Sequence, residues 1–366
     1  MHLRRRRQVT TAGLAVCALA LAACSSSSSS STSSTSSSST ASASSSSSAQ
    51  LSGTLNGSGS TFQTVYQQTA IASFKSIQPN MTVNYGSGGS GKGRTDLASG
   101  VTNFAGSDSP IPATEVANFK GKTVLYFPVF LGPITVSYNL SGVSDLKLDA
   151  TVLAEIFSGK ITSWNNSAIA ALNSGTSLPS TPITIAVRSD SSGTTQNFSL
   201  YLEDAAKSTW TLGSSSTIKW PATARAGNGN PGVAQIIKST PGAIGYVDYA
   251  DAKASGLTFA AIKNSSGSYI TPSPSSASAA GSGITVASNL TFHAVDSPNP
   301  QAYPITYQSW VLVYAMQPNA NDAAMLKAYI GYLIGSGQQL LGNLGYAPLP
   351  SSLQAQAQAQ LRQITS

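Results

Sequence analysis

The sequence predicts an α/β fold built on a largely parallel sheet. Short apolar strands alternate with stretches whose apolar residues recur at helical spacing. Several of those strands end in Gly- and Ser-rich loops that lead straight into a helix start. Hydrophobic residues make up 41% of the 366, enough for a sizeable core, and the length suggests about two domains.

Leu51–Asn56 reads as the first strand and Gly57–Ser60 as a loop. A helix fits 61–77, with Phe62, Val65, Tyr66, Ala70 and Phe74 on one face, Ser60 and Gln63 spaced as a capping box, and Pro79 as a stop. Met81–Tyr85 is a second strand, Gly86–Gly93 a second Gly-rich loop, and Arg94–Ser99 a short helix ended by Gly100. Asn103–Gly106 is strand-like and leads into Ser107-Asp108. Two apolar segments, 124–138 and 303–315, exceed the length of ordinary strands, and either suits a crossing between two lobes. Between them lie helices at 149–158, 194–207 and 231–239, with strands at 183–188 and 243–247. His293 falls in Thr-Phe-His-Ala-Val, which reads as a strand. Residues 265–290 carry no clear period, and 320–335 and 351–363 read as helices. No repeat is evident.

Composition excludes several function classes. Only 9% of the chain is charged, against roughly 25% in an average soluble protein. Of the net charge of +7, Arg4–Arg7 supply four, which leaves +3 for the rest. That is no basic stripe for nucleic acid. Cys17 and Cys24 both lie near the N-terminus, and His293 is the one histidine beyond His2. A Cys/His zinc site and a cysteine nucleophile therefore lack their residues, a Ser-His-Asp triad would have to use His293, which is expected to be structural, and no cofactor is expected.

The N-terminus reads as an address. Basic residues 4–7 precede an apolar run at 13–23, too short for a stable span but suited to a signal peptide. Residues 1–23 are assigned to it. Leu21-Ala22-Ala23-Cys24 resembles a bacterial lipobox, which makes Cys24 the expected site of lipidation. Residues 25–50 are almost all Ser, Thr and Ala and cannot bury a core. As a coil, such a tether averages roughly 25–30 Å end to end. The folded part is thus expected at the outer face of the cell membrane, held there by its lipid.

Four polar loops follow predicted strands, where open α/β sheets bind ligands. They are Gly57-Ser-Gly-Ser-Thr-Phe62, Gly86-Ser-Gly-Gly-Ser-Gly91, Ser107-Asp108 and Arg188-Ser-Asp-Ser-Ser-Gly-Thr194. Three of them offer backbone N–H groups and hydroxyls at a helix start, an anion-binding arrangement. Arg188 adds a guanidinium fork. The second loop lies one residue from a P-loop. Gly93 stands where Ser or Thr would ligate magnesium, so nucleotide hydrolysis is not expected.

These loops, in this order, resemble the PstS family, the substrate receptors of phosphate ABC transporters. The likeness runs from about residue 53 to the C-terminus. It includes Asn103-Phe-Ala-Gly-Ser-Asp-Ser-Pro110, Ile156-Phe-Ser-Gly-Lys-Ile-Thr-Ser-Trp164, Gly229-Asn-Pro-Gly-Val233, Pro241-Gly-Ala-Ile-Gly-Tyr-Val247 and Tyr303-Pro-Ile-Thr306. The resemblance implies a two-lobed periplasmic-binding-protein-like fold of type II. Two mixed or parallel sheets are joined by hinge strands, and the ligand lies in the interlobe cleft. With the two long segments as crossings, lobe I comprises 51–130 and 301–366, and lobe II comprises 131–300.

Carried over by position, the phosphate ligands are Thr61, Phe62 through its N–H, Ser90, Asp108, Arg188, Ser192, Gly193 and Thr194, with Asp190 holding the guanidinium of Arg188 from behind. Ser87 is the alternative to Ser90 if the loop is shifted, and Lys92 is expected to face solvent. The implied partners are inorganic phosphate and the permease subunits with their ATPase. A monomer is expected, and no enzymatic activity. The alternatives are an exported phosphatase-like enzyme and a receptor for another oxyanion.

The residue types suit phosphate over sulfate. At neutral pH phosphate keeps at least one proton, which a buried Asp108 can accept, whereas sulfate has none to give. Sulfate would leave Asp108 unpaired beside like charge, a mismatch that costs roughly 1–3 kcal/mol or more.

Overall fold

The computed structural model describes residues 50–366. The signal peptide, Cys24 and nearly all of the tether lie outside the described residues. Twelve strands and eleven α-helices occur among the described residues. The strands are β1 (Gly53–Gly59), β2 (Met81–Ser87), β3 (Phe104–Ser107), β4 (Val124–Tyr138), β5 (Lys147–Leu148), β6 (Thr184–Arg188), β7 (Arg225–Gly227), β8 (Ala243–Asp248), β9 (Thr258–Phe259), β10 (Ala261–Lys263), β11 (Tyr269–Ile270) and β12 (Thr306–Tyr314). The helices are α1 (Thr64–Phe74), α2 (Ser90–Ala98), α3 (Ala150–Phe157), α4 (Ser167–Leu172), α5 (Gly193–Ala205), α6 (Gly229–Ser239), α7 (Tyr249–Ala254), α8 (Pro274–Ala280), α9 (Ala320–Ile334), α10 (Leu341–Leu344) and α11 (Ser351–Gln360).

The main sheet runs β2-β1-β3-β12-β4-β8-β6-β7, with β9 added on β4. β1 is parallel to β2 and β3, and β6 is parallel to β7 and β8. β12 and β4 run antiparallel to their neighbours, so the sheet is mixed. The two parallel halves are continuous through β4. Its residues 124–133 pair with β12, and Ile134–Tyr138 pair with β8. A small β11-β10-β5 sheet lies apart.

β4 manages its length with two prolines. Pro133 falls where its partner changes from β12 to β8. Pro128 falls at a bulge, where Ser309 faces Phe130 but Trp310 faces Pro128. A proline has no N–H to give a ladder, so both positions suit it. Val129 is the extra residue, and its carbonyl accepts instead from Gln338 Nε2 at 2.7 Å.

Several expectations shift for physical reasons. Residues 57–59 continue β1, because their backbone pairs on both sides, and the Phe104 ring lies where a Cβ of residue 57 would be. Ser60 and Gln63 form no capping box: Gln63 is the N-cap of α1, without a side-chain cap bond. His293 is exposed and in no strand, and the 265–290 region contains β11 and α8, the latter capped by a Ser273/Ser276 box. Among the described residues no helix is long and apolar enough to cross a membrane.

Candidate oxyanion-binding site

The ends of β1, β2, β3 and β6 bring the four loops together around one carboxylate. Asp108, at the end of β3, is 2% exposed. Its Oδ1 accepts from Ser60 Oγ at 2.7 Å and Ser309 Oγ at 2.5 Å. Its Oδ2 accepts from Ser60 Oγ at 2.6 Å and Ser90 Oγ at 3.2 Å. Burial raises the Asp108 pKa above the usual carboxylate range, and the three serine hydroxyls and the charge of Arg188 partly offset this. Ser90 is buried at the first turn of α2, whereas Ser87 is exposed. Lys92 is half exposed and pairs with Asp96 at 2.5 Å.

The loop that carries Asp108 is braced from beneath. Arg94, fully buried, pairs with both oxygens of Glu115 at 2.6 and 2.9 Å. Its Nη1 also donates to Ser107 and Ser109 Oγ at 3.2 Å each. Such a fork fixes the two residues that flank Asp108.

The other side of the site is the start of α5. Ser192 caps this helix by accepting from Thr195 N–H at 3.1 Å. A Cβ on Gly193 would lie 2.6 Å from Asp108 Cβ and 2.5 Å from Ser90 Oγ. Glycine is thus required for this close approach. The N–H groups of Gly193 and Thr194 are first-turn donors with no acceptor among the described residues, and the Phe62 N–H ahead of α1 is another.

Arg188 is buried at the end of β6. Its Nε and Nη2 reach the two oxygens of Asp190 at 2.8 and 2.5 Å, and its Nη1 donates to Thr194 Oγ1 at 3.3 Å. Burial by itself would raise Asp190, but Arg188 and the Gly229 N–H, at 3.0 Å, hold it below the usual range. Tyr246 hydrogen-bonds the Arg188 N–H and the Thr195 hydroxyl, at 3.1 and 2.7 Å.

Hydrogen bonds tie the β1–β3 half to the β6–β8 half around this ring. Asn230 Nδ2 donates to Thr61 Oγ1 at 3.1 Å, Gly91 N–H to Ser191 O at 3.0 Å, and Asn197 Nδ2 to the Asp108 carbonyl at 2.7 Å. The Phe62 side chain points into the core and stacks on Tyr307.

All eight residues expected from the sequence, with Asp190, therefore stand in these converging loops. Sequence reasoning missed Ser60, Ser309, Asn197 and Asn230. Ser309 did carry a signal: with Gln308 it is a polar pair in the middle of an apolar strand. The arrangement offers fixed N–H dipoles, hydroxyls and one guanidinium to an anion, and one carboxylate to a proton on it. No group of three His, Cys, Asp or Glu residues suited to a metal occurs among the described residues.

Residues 44–336 match the model of the PBP superfamily domain. The phosphate-binding protein PstS 3 of Mycobacterium leprae is 36% identical over 316 residues, which cover 82% of this chain and 84% of that protein. The phosphate-binding protein PstS of Xylella fastidiosa is 33% identical over 313 residues, covering 83% and 84%. Among solved structures, a high-affinity periplasmic phosphate-binding protein (PfluDING), bound with phosphate, matches with a TM-score of 0.69. It is 22% identical, over 84% of this chain and 94% of its own. A putative phosphate ABC transporter substrate-binding protein from Clostridium perfringens matches with a TM-score of 0.60 at 14% identity, over 81% and 100%. Fold and superfamily match together define a two-lobed α/β binding protein of the periplasmic type II class. Within that class, the chain belongs to the PstS family of phosphate-binding proteins.

Proposed function

We propose that the protein binds inorganic phosphate at this ring and delivers it to the permease subunits of a phosphate ABC transporter. The Phe62, Gly193 and Thr194 N–H groups, the hydroxyls of Thr61, Ser90, Ser192 and Thr194, and Arg188 donate to the anion. Asp108 accepts its proton, and Asp190 steadies Arg188. The observation that carries the reading is the buried Asp108 carboxylate, facing donors on every side. A site for a fully ionised anion has no use for it.

The lobes divide at the crossings, with residues 51–130 and 301–366 in one and 131–300 in the other. β4 changes partners at Pro133, which supports this division. The protein acts as a binder without catalysis: His293, the only histidine among the described residues, is exposed, and the relatives are named as binding proteins. It works as a monomer outside the cell membrane, anchored through a lipid on Cys24. Calorimetric titration tests the reading. Phosphate should bind tightly and sulfate at least a hundredfold more weakly; equal affinities, or no phosphate binding, would refute it.

A further inference from the structure

Tyr307 has no part in the ligand set described so far. It lies on β12 opposite Gly132 of β4, fully buried. Its ring stacks on Phe62, with centroids 4.1 Å apart and planes 17° from parallel. Phe62 is in turn held edge-on by Phe130 and Tyr346. The Tyr307 hydroxyl lies beside that of Thr194, and the carboxylates of Asp108 and Asp248 are near enough to disfavour its phenolate. Yet the buried hydroxyl has no hydrogen-bond partner.

An orphaned phenol in a packed interior is unfavourable, and phenylalanine would fill the same space without the penalty. Tyr201 and Tyr303 also carry unpaired hydroxyls. The ionisable neighbours of Tyr201 are Tyr303, Asp296 and Asp149, none of them in the four loops. Tyr307 differs: it stacks on Phe62, in one of the four loops, and neighbours Thr194, in another.

We infer that the Tyr307 hydroxyl is a further ligand of the bound oxyanion, donating its proton to an anion oxygen from the β12 side of the cleft. The inference rests on the phosphate reading of the site. Chemically it fits: a phenol held neutral is a donor to an anion, and it enters from a strand that neither helix N-terminus reaches. The anion would then be gripped by three independent pieces of backbone: the loops after β1–β3, the start of α5, and β12.

The test is Tyr307→Phe in the full chain, with phosphate calorimetry and ligand-free thermal unfolding of both proteins. The variant keeps the stack and loses only the hydroxyl. The ligand-free melting temperature should stay level or rise, while phosphate affinity falls roughly tenfold or more, as expected for a bond to a charged group. Unchanged affinity in the variant beside tight binding by the wild type would overturn the inference alone. No phosphate binding by the wild type would overturn the reading of the site and this inference with it. Should the variant fail to fold, the 13Cζ resonance of Tyr307 in the labelled wild-type protein decides. It should move on saturation with phosphate, and a stationary resonance would overturn the role.

Discussion

Replacing Asp108 with asparagine exchanges one carboxylate oxygen for an NH2 group and leaves the volume unchanged. In the wild type both oxygens accept from serines, and the serine hydroxyls can turn to accept from the new amide, so the fold tolerates the exchange. The ligands respond in opposite directions. Phosphate loses a hydrogen bond from its own O–H to a charged acceptor, about 1.5–3 kcal/mol. Sulfate is relieved of a like charge. At 4 Å and an effective dielectric constant near 20, that repulsion is about 4 kcal/mol before the neighbouring donors reduce it. Discrimination between the two anions should therefore collapse by roughly 10²–10³-fold. Competitive calorimetry at pH 8 reads the ratio directly. A ratio in Asp108→Asn equal to that of the wild type would remove Asp108 from its role as proton acceptor.

Two further perturbations probe closure and the buried charge near it. Gly193→Ala places a methyl group against Ser90 and Asp108 at distances no real Cβ tolerates. Overpacking of this kind costs about 1–3 kcal/mol, so phosphate Kd should rise roughly ten- to a hundredfold with little change in ligand-free melting. An unaltered Kd would mean that α5 does not close on Asp108. Asp248, buried at the end of β8, caps α7 through Oδ1, and its Oδ2 is unpaired. Burial, and then Asp251, push its pKa well above the ordinary value. A carboxyl raised in the folded state stabilises least when ionised, so stability falls as pH rises from the unfolded pKa of about 4 towards the folded one. Asp248→Asn keeps the cap oxygen and has no charge to bury. Its melting temperature should match the wild type near pH 4 and exceed it at pH 8, and a gap that shrinks with pH would contradict the assignment.

Strand and helix periods made the architecture legible, because each element buries one face and therefore shows its period. The long runs at 124–138 and 303–315 marked the two central strands for a different reason: β4 and β12 are buried on both faces, so their sequences are almost unbroken apolar runs. What stayed hidden depended on neighbours distant in the chain. Gly57–Gly59 looks like a turn by composition, yet continues a strand, since β2 and β3 on both sides satisfy its backbone. Ser60 and Gln63 have the spacing of a capping box. In a capping box the Ser60 oxygen would accept from the Gln63 N–H; instead the hydroxyl donates to the buried Asp108 carboxylate, while Gln63 bridges to Ser309 and Trp310, 246 and 247 residues away. The acid itself was readable in the loop Ser107-Asp108. Its partner Ser309, 201 residues away, was not, because no local rule connects two strands so far apart.

The bulge in β4 turns ligand recognition into a matter of counting. Along a strand, side chains alternate between faces, and a slip of one residue turns every later side chain to the opposite face. Ser309, whose hydroxyl reaches Asp108, stands at the point where the β12–β4 register changes, and the surplus residue, Val129, is held in place through its carbonyl by Gln338. Deleting Val129 would remove no group of the site, only the carbonyl that accepts from Gln338. It would also close the bulge, so that Pro128 and Phe130, opposite Trp310 and Ser309, become neighbours and β4 loses its local bend and extra twist beside Ser309. The stretch 128–131 thus behaves as a spacer whose length matters more than its chemistry. Tolerated insertions and deletions belong in the loops that flank β4 and β12, never between Pro128 and Leu131.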